Sequence, residues 1–122
     1  MSVKLTTRDV GDVVVIDAVG RITLGEGASA FRDKVRELAA SGHKKLLLNL
    51  AEVSYIDSSG IGELVSGFTT VTNQGGAVKL LNLTKRVRDL LQITKLYTVF
   101  DVFDDEATAI RSFAGSGSPG RR

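Results

Sequence analysis

The densest chemical signal in the chain is a carboxylate followed by two adjacent hydroxyls, Asp57-Ser58-Ser59, running into Gly60-Ile61-Gly62. A serine hydroxyl can serve as a nucleophile or accept a phosphoryl group, and an aspartate can cap a helix or orient a proton. Nucleophilic catalysis needs a base beside the serine. The one histidine, His43, follows a glycine at the end of a helical stretch and is expected to cap that helix or face solvent. Scattered acids, a lone histidine and no cysteine leave no ligand set with metal spacing and no thiolate chemistry. The phosphate-binding pattern of a P-loop is absent. The glycine-rich residues 20–27 follow no nucleotide fingerprint and read as a loop. We therefore expect no catalytic residue, no metal and no cofactor. Capping alone explains one polar group at a helix start, yet three stand in a row here, and two glycines occupy positions where better helix formers would add stability. A helix N-terminus carrying exposed hydroxyls suits a phosphate, because its free N–H groups and dipole favour an anion.

Positioning such a segment takes a strand before it and a helix after it, and the flanking pattern predicts both. Leu46-Leu47-Leu48-Asn49-Leu50 is a short apolar run suited to a central strand buried on both faces. Ile61, Leu64, Val65, Phe68 and Val71 recur at helical spacing until Gln74-Gly75-Gly76 stops them. Upstream, residues 3–9 and the β-branched run from Val13 to Val19 read as two strands, joined by a tight turn at Gly11-Asp12 and ended by Gly20. Ala28, Phe31, Val35 and Leu38 mark an amphipathic helix that ends at Ser41-Gly42. Downstream come a strand at residues 77–81 and a short helix N-capped by Thr84 that buries Val87, Leu90 and Leu91. A last strand is expected at Val99-Phe100, and a final helix opened by Asp104-Asp105-Glu106. The order β-β-α-β-α-β-α-β-α implies an α/β fold: a mixed, mostly parallel sheet of about five strands with about four helices.

Hydrophobic residues are 43% and charged residues 25% of 122, the balance of a single water-exposed globular domain. We expect it to span residues 1–114, with residues 115–122 a disordered Gly/Ser/Arg tail. Lys and Arg number 16 against 14 Asp and Glu, and two of the basic residues are Arg121 and Arg122. The folded part is thus nearly neutral, without the basic face that nucleic acid requires. Lys85, Arg86 and Arg88 form the nearest approach to one and read as a solvated helix face moderated by Asp89. No apolar run is long enough to span a bilayer, and the N-terminus lacks a signal-peptide core, so a cytoplasmic location without membrane insertion is expected.

The chain as a whole resembles the STAS family, and within it the bacterial anti-sigma factor antagonists. The resemblance covers about residues 3–113. It is carried by Leu48-Asn49-Leu50, then Val53-Ser54-Tyr55-Ile56-Asp57-Ser58-Ser59-Gly60-Ile61-Gly62, with Gln74-Gly75-Gly76, Leu80 and Ile93-Thr94-Lys95-Leu96 at matching spacing. It implies a non-enzymatic binding switch. Ser58 is the phosphoacceptor, and Asp57, Ser59, Gly60 and Gly62 flank it in the partner surface. The partner is an anti-sigma factor that is also an ATP-dependent serine kinase, and a serine phosphatase resets the switch. Unphosphorylated, such a protein binds the kinase and releases the sigma factor. A different STAS role, as scaffold or as regulatory subunit of a transporter or sensing complex, needs no phosphoacceptor. One departure stands out: many family antagonists carry an acid directly after the glycine that ends the second strand and another two positions on, where this chain has Gly20-Arg21-Ile22-Thr23.

Overall fold

The computed structural model describes residues 3–114, with the elements β1 (Val3–Val10), β2 (Val13–Ile22), α1 (Glu26–Ala40), β3 (Lys45–Ile56), α2 (Ser58–Asn73), β4 (Ala77–Leu81), α3 (Lys85–Ile93), β5 (Asp101–Phe103) and α4 (Glu106–Ser112). The tail expected at 115–122 lies outside the described residues. The five strands form one sheet in chain order, β1-β2-β3-β4-β5. β1 is antiparallel to β2 and the other pairs are parallel. Because parallel crossovers are right-handed, three in the same direction put α1, α2 and α3 on one face of the sheet. The opposite face is left to α4.

Side-chain alternation sorts the core accordingly. Val14, Ile16 and Ala18 of β2, Leu46 and Leu48 of β3, and Val78 and Leu80 of β4 join Phe31, Val35, Leu64, Val87 and Leu91 from the three helices. Val13, Val15, Leu47 and Leu81 point the other way, against Ala109 and Phe113. The continuous apolar runs in β2 and β3 are therefore explained by burial on both faces. Lys79 is the exception in the second layer, 6% exposed. It stands in register with Leu47 on one side and Asp101 on the other. Its ammonium donates to the Ser112 hydroxyl at 3.0 Å and lies 4.9 Å from the centre of the Phe113 ring.

Three boundaries differ from the sequence reading, each for a physical reason. β2 does not end at Gly20 but continues to Ile22. Gly20 takes φ 118°, open to glycine, beside a register shift against β3. The loop expected over 20–27 is thereby reduced to residues 23–25. β3 continues past Leu50 to Ile56 through two irregularities that a polar side chain accompanies. Asn49 Oδ1 accepts from the Ala51 amide at 3.2 Å, and Ser54 Oγ donates to the Gly20 carbonyl at 3.2 Å. The last strand is residues 101–103, not Val99-Phe100. Phe100 instead leaves the sheet to pack edge-on against Phe68, ring centres 5.3 Å apart.

Candidate functional site

The extension of β3 to Ile56 brings Asp57 directly between strand and helix, at the carboxyl end of a central parallel strand, where sites collect in open α/β sheets. Asp57 is the N-cap of α2. Its Oδ1 accepts from the Gly60 amide at 2.9 Å, and its Oδ2 accepts from the Leu24 amide at 3.0 Å. The carboxylate thus ties the β2–α1 connection to the start of α2. The Leu24 amide above all, with a lesser contribution from Gly60, holds its pKa below the ordinary aspartate value against the opposing effect of burial. Asp57 is an anionic fixture of the site and not a proton acceptor in waiting.

Ser58 is the first residue of α2 and is exposed, whereas Ser59 is half-buried. Gly60 is buried, and a Cβ there would collide with the Ile22 carbonyl oxygen and come within 2.6 Å of the Ile56 side chain. Gly62, one turn beyond Ser58 on the same side of the helix, is exposed, and a Cβ there meets nothing within 4 Å. The two glycines of the motif therefore differ in kind. The fold requires Gly60, and nothing in the fold requires Gly62.

Ser58 opens onto a cleft of about 540 Å³ between the end of β3 and α3, lined among others by Tyr55, Asp57, Arg86, Leu90 and Ile93. Ser59 is not among its lining residues. Ile93 and Leu24 are exposed at 76% and 79%, the two most exposed large hydrophobic side chains among the described residues. The Arg86 guanidinium lies 4.4 Å from the centre of the Tyr55 ring, and that of Arg21 lies 5.4 Å from it. In the run Lys85, Arg86, Arg88 the first two are exposed, as expected of a solvated face, and the three turn to different partners. Lys85 pairs with Asp89 at 2.7 Å, Arg88 donates to the Tyr97 hydroxyl at 3.3 Å, and Arg86 turns to Tyr55. Of the residues expected in a partner surface, Ser58 and Gly62 are exposed, Asp57 and Ser59 are half-buried, and Gly60 is buried. Tyr55, Arg86, Arg21 and Leu24 belong to the same surface and were not selected. Tyr55 stood inside the motif, Arg86 in the basic run, and Arg21 where the family resemblance led us to expect an acid.

His43 is exposed and precedes β3, while Ser58 follows it. A twelve-residue strand separates them by roughly 30 Å or more, and no Ser–His pair forms. Among the described residues no group of three or more His, Cys, Asp or Glu is arranged to hold a metal ion, and no helix is long and apolar enough to cross a membrane.

Comparison with known proteins places this geometry in context. The profile of the STAS domain matches residues 4–109. The anti-sigma-B factor antagonist of Bacillus subtilis (strain 168) is 33% identical over 102 residues, which cover 84% of this chain and 92% of that protein. Among solved structures, an anti-sigma factor antagonist from Mycobacterium paratuberculosis superimposes with a TM-score of 0.83 at 18% identity, covering 93% of this chain and 95% of that one. The Bacillus cell fate determinant SpoIIAA, in its phosphorylated form, superimposes at 0.72 with 22% identity, over 89% of this chain and 98% of that one. At these identities the two structures speak for the fold.

Proposed function

The chain belongs to the STAS domain family, and on that premise we propose that it is an anti-sigma factor antagonist switched by phosphorylation of Ser58. The observation that carries the reading is the exposed Ser58 hydroxyl at the first position of α2, beside an aspartate whose carboxylate is already held by two backbone amides. The partner is an anti-sigma factor that is also a serine kinase, met in the cytoplasm of a bacterial cell. The chain is its substrate and carries out no catalysis itself. In the kinase complex the Ser58 oxygen attacks the γ-phosphorus of ATP. ADP leaves, and the hydroxyl proton passes to a base of the kinase. A serine phosphatase returns the hydroxyl by hydrolysis, releasing inorganic phosphate.

The bare helix turn at Gly62 supports this reading, since the absence of a side chain lets a partner's backbone approach next to Ser58. Unphosphorylated, Asp57, Ser58, Ser59 and Gly62 contact the partner, the buried Gly60 shaping the turn beneath them, and the sigma factor is released. A phosphate adds about −1.5 to −2 charges beside Asp57. The helix N-terminus tolerates that charge, so the domain stays folded. A partner surface shaped for a neutral hydroxyl does not, and an uncompensated interfacial charge costs a few kcal/mol, on the order of 10²-fold in affinity.

The test is a calorimetric titration of wild type, Ser58→Ala and Ser58→Asp against the anti-sigma factor kinase. Ser58→Ala keeps the affinity and cannot be switched off. Ser58→Asp binds more weakly, by less than the phosphorylated protein. Equal affinities for all three folded proteins would sink the switch and favour a scaffold or transporter-subunit role.

A further inference from the structure

We infer that Arg86, laid over Tyr55 at the mouth of the Ser58 cleft, receives the phosphate of phosphorylated Ser58 as an intramolecular clamp. The inference rests on the reading that Ser58 is the phosphoacceptor, and it says where the phosphate goes. Three observations carry it. Ser58 and Arg86 line the same cleft although they come from different helices. The Arg86 guanidinium is 4.4 Å from the Tyr55 ring centre, with Arg21 at 5.4 Å from the same ring. Stacking on an aromatic face orients a guanidinium while leaving the N–H groups at its edge free for two parallel bonds to a phosphate. Finally, Arg8, Arg32 and Arg88 are each engaged with a carboxylate, whereas Arg86 and Arg21, like Arg36 and Arg111 elsewhere on the surface, have none within ion-pair distance among the described residues.

The acids of the cleft do not compete for Arg86. Asp57 is held by the Leu24 and Gly60 amides, and Asp89 is held by Lys85 at 2.7 Å. A phosphate on Ser58 would therefore meet an Arg86 guanidinium that neither carboxylate of the cleft has taken. Its capture by Arg86 occupies the opening between Ser58 and the apolar wall formed by Leu90 and Ile93. The modification thus both charges the partner surface and fills the groove beside it.

The experiment installs phosphoserine at position 58 during translation, so that no kinase is needed, and follows its second ionisation by 31P NMR. A nearby cation favours the dianion and lowers that pKa. Loss of an exposed pair moves it by about half a unit. The titration of phosphorylated wild type is expected about half a unit below that of phosphorylated Arg86→Gln, with Arg86→Lys between them. Arg36→Gln, removing an exposed arginine on α1, is expected to titrate as wild type. Coincident curves for wild type and Arg86→Gln, or an equal displacement in Arg36→Gln, overturn the clamp. Should Arg86→Gln not fold, Arg86→Lys carries the same comparison. A kinase that leaves Ser58 unlabelled would undo the functional reading and leave this titration standing, so the two failures are distinguishable.

Discussion

Replacing Gly60 or Gly62, near the start of α2, by alanine separates what the fold needs from what a partner needs. Both substitutions gain intrinsic helix propensity, about 0.8–1 kcal/mol. At Gly62 nothing opposes that gain, because the new methyl group meets no atom within 4 Å. At Gly60 the methyl group meets the backbone carbonyl of Ile22 and the side chain of Ile56, both in the packed interior. Overpacking of this kind costs about 1–3 kcal/mol. The displaced carbonyl also accepts from the Asp57 amide at 3.4 Å, so the shift passes into the cap. Loss of such a cap is worth about 1 kcal/mol more. The net expectation is a loss of about 1–3 kcal/mol for Gly60→Ala and a gain of about 0.5–1 kcal/mol for Gly62→Ala. With an unfolding entropy of about 2.1 cal/mol/K per residue, 1 kcal/mol moves the midpoint of a chain this long by about 4 °C. Thermal and urea unfolding followed by circular dichroism should therefore shift in opposite directions. A titration with the kinase completes the test, since Gly62→Ala should bind more weakly while being more stable. Shifts of the same sign for the two variants would refute the reasoning.

Leu48 is 1% exposed between Ile16 and Leu80 in the middle of the sheet, and Leu48→Ala should lower stability by about 2–5 kcal/mol in urea unfolding. The Asp17, Asp57 and Asp105 carboxylates all lie below their ordinary pKa, through Arg8, the Leu24 amide and the Thr108 amide respectively. A depressed folded pKa gives stability that is complete above the unfolded value of about 3.9 and is lost as pH falls through the folded value. The thermal midpoint should hold from pH 7 to about 5 and fall below about 4, with a shallower acid limb in Asp57→Asn, which keeps the cap but does not titrate. Lys79 has its pKa lowered by burial, so its charged form is disfavoured in the folded state. Lys79→Met should leave stability at neutral pH unchanged or raise it by up to about 2 kcal/mol. A clear loss in denaturant unfolding would show that its contacts with Ser112 and the rings outweigh desolvation.

Periodicity and capping made the element order legible, because the fold buries β2, β3 and β4 on two faces and its helices on one. Thr84 and the acids before α4 mark helix starts as expected, with Thr84 Oγ1 accepting from Val87 at 3.3 Å and Asp105 accepting from Thr108 at 2.8 Å. The strand ends were less legible. Asn49 and Ser54 interrupt the apolar pattern of β3 at the places where the ladder slips, so a polar residue that sustains the strand looks like one that ends it. Phe100 misled in the other direction, being buried in the core against Phe68 of α2 without belonging to a strand. At the site, Asp57 and Ser58 were visible because one local motif holds them. Tyr55 and Arg86 stand 31 positions apart and meet only through the packing of α3 on β3, which no local pattern encodes.

The agreement between sheet order and chain order bears on how the protein is made. Residues paired in parallel lie 32 positions apart at Val14↔Leu46 and again at Leu46↔Val78, then 22 at Leu80↔Val102. Each loop to be closed is a single strand-helix crossover, and its entropic cost grows only with the logarithm of its length. At about 5–20 residues per second, a ribosome delivers 32 residues in about 2–6 s. Local helices and hairpins form in microseconds, so each finished unit meets an edge that is already synthesised. No strand has to wait for a later one to be inserted beside it, and the sheet can grow outward from the β1–β2 hairpin as the polypeptide emerges.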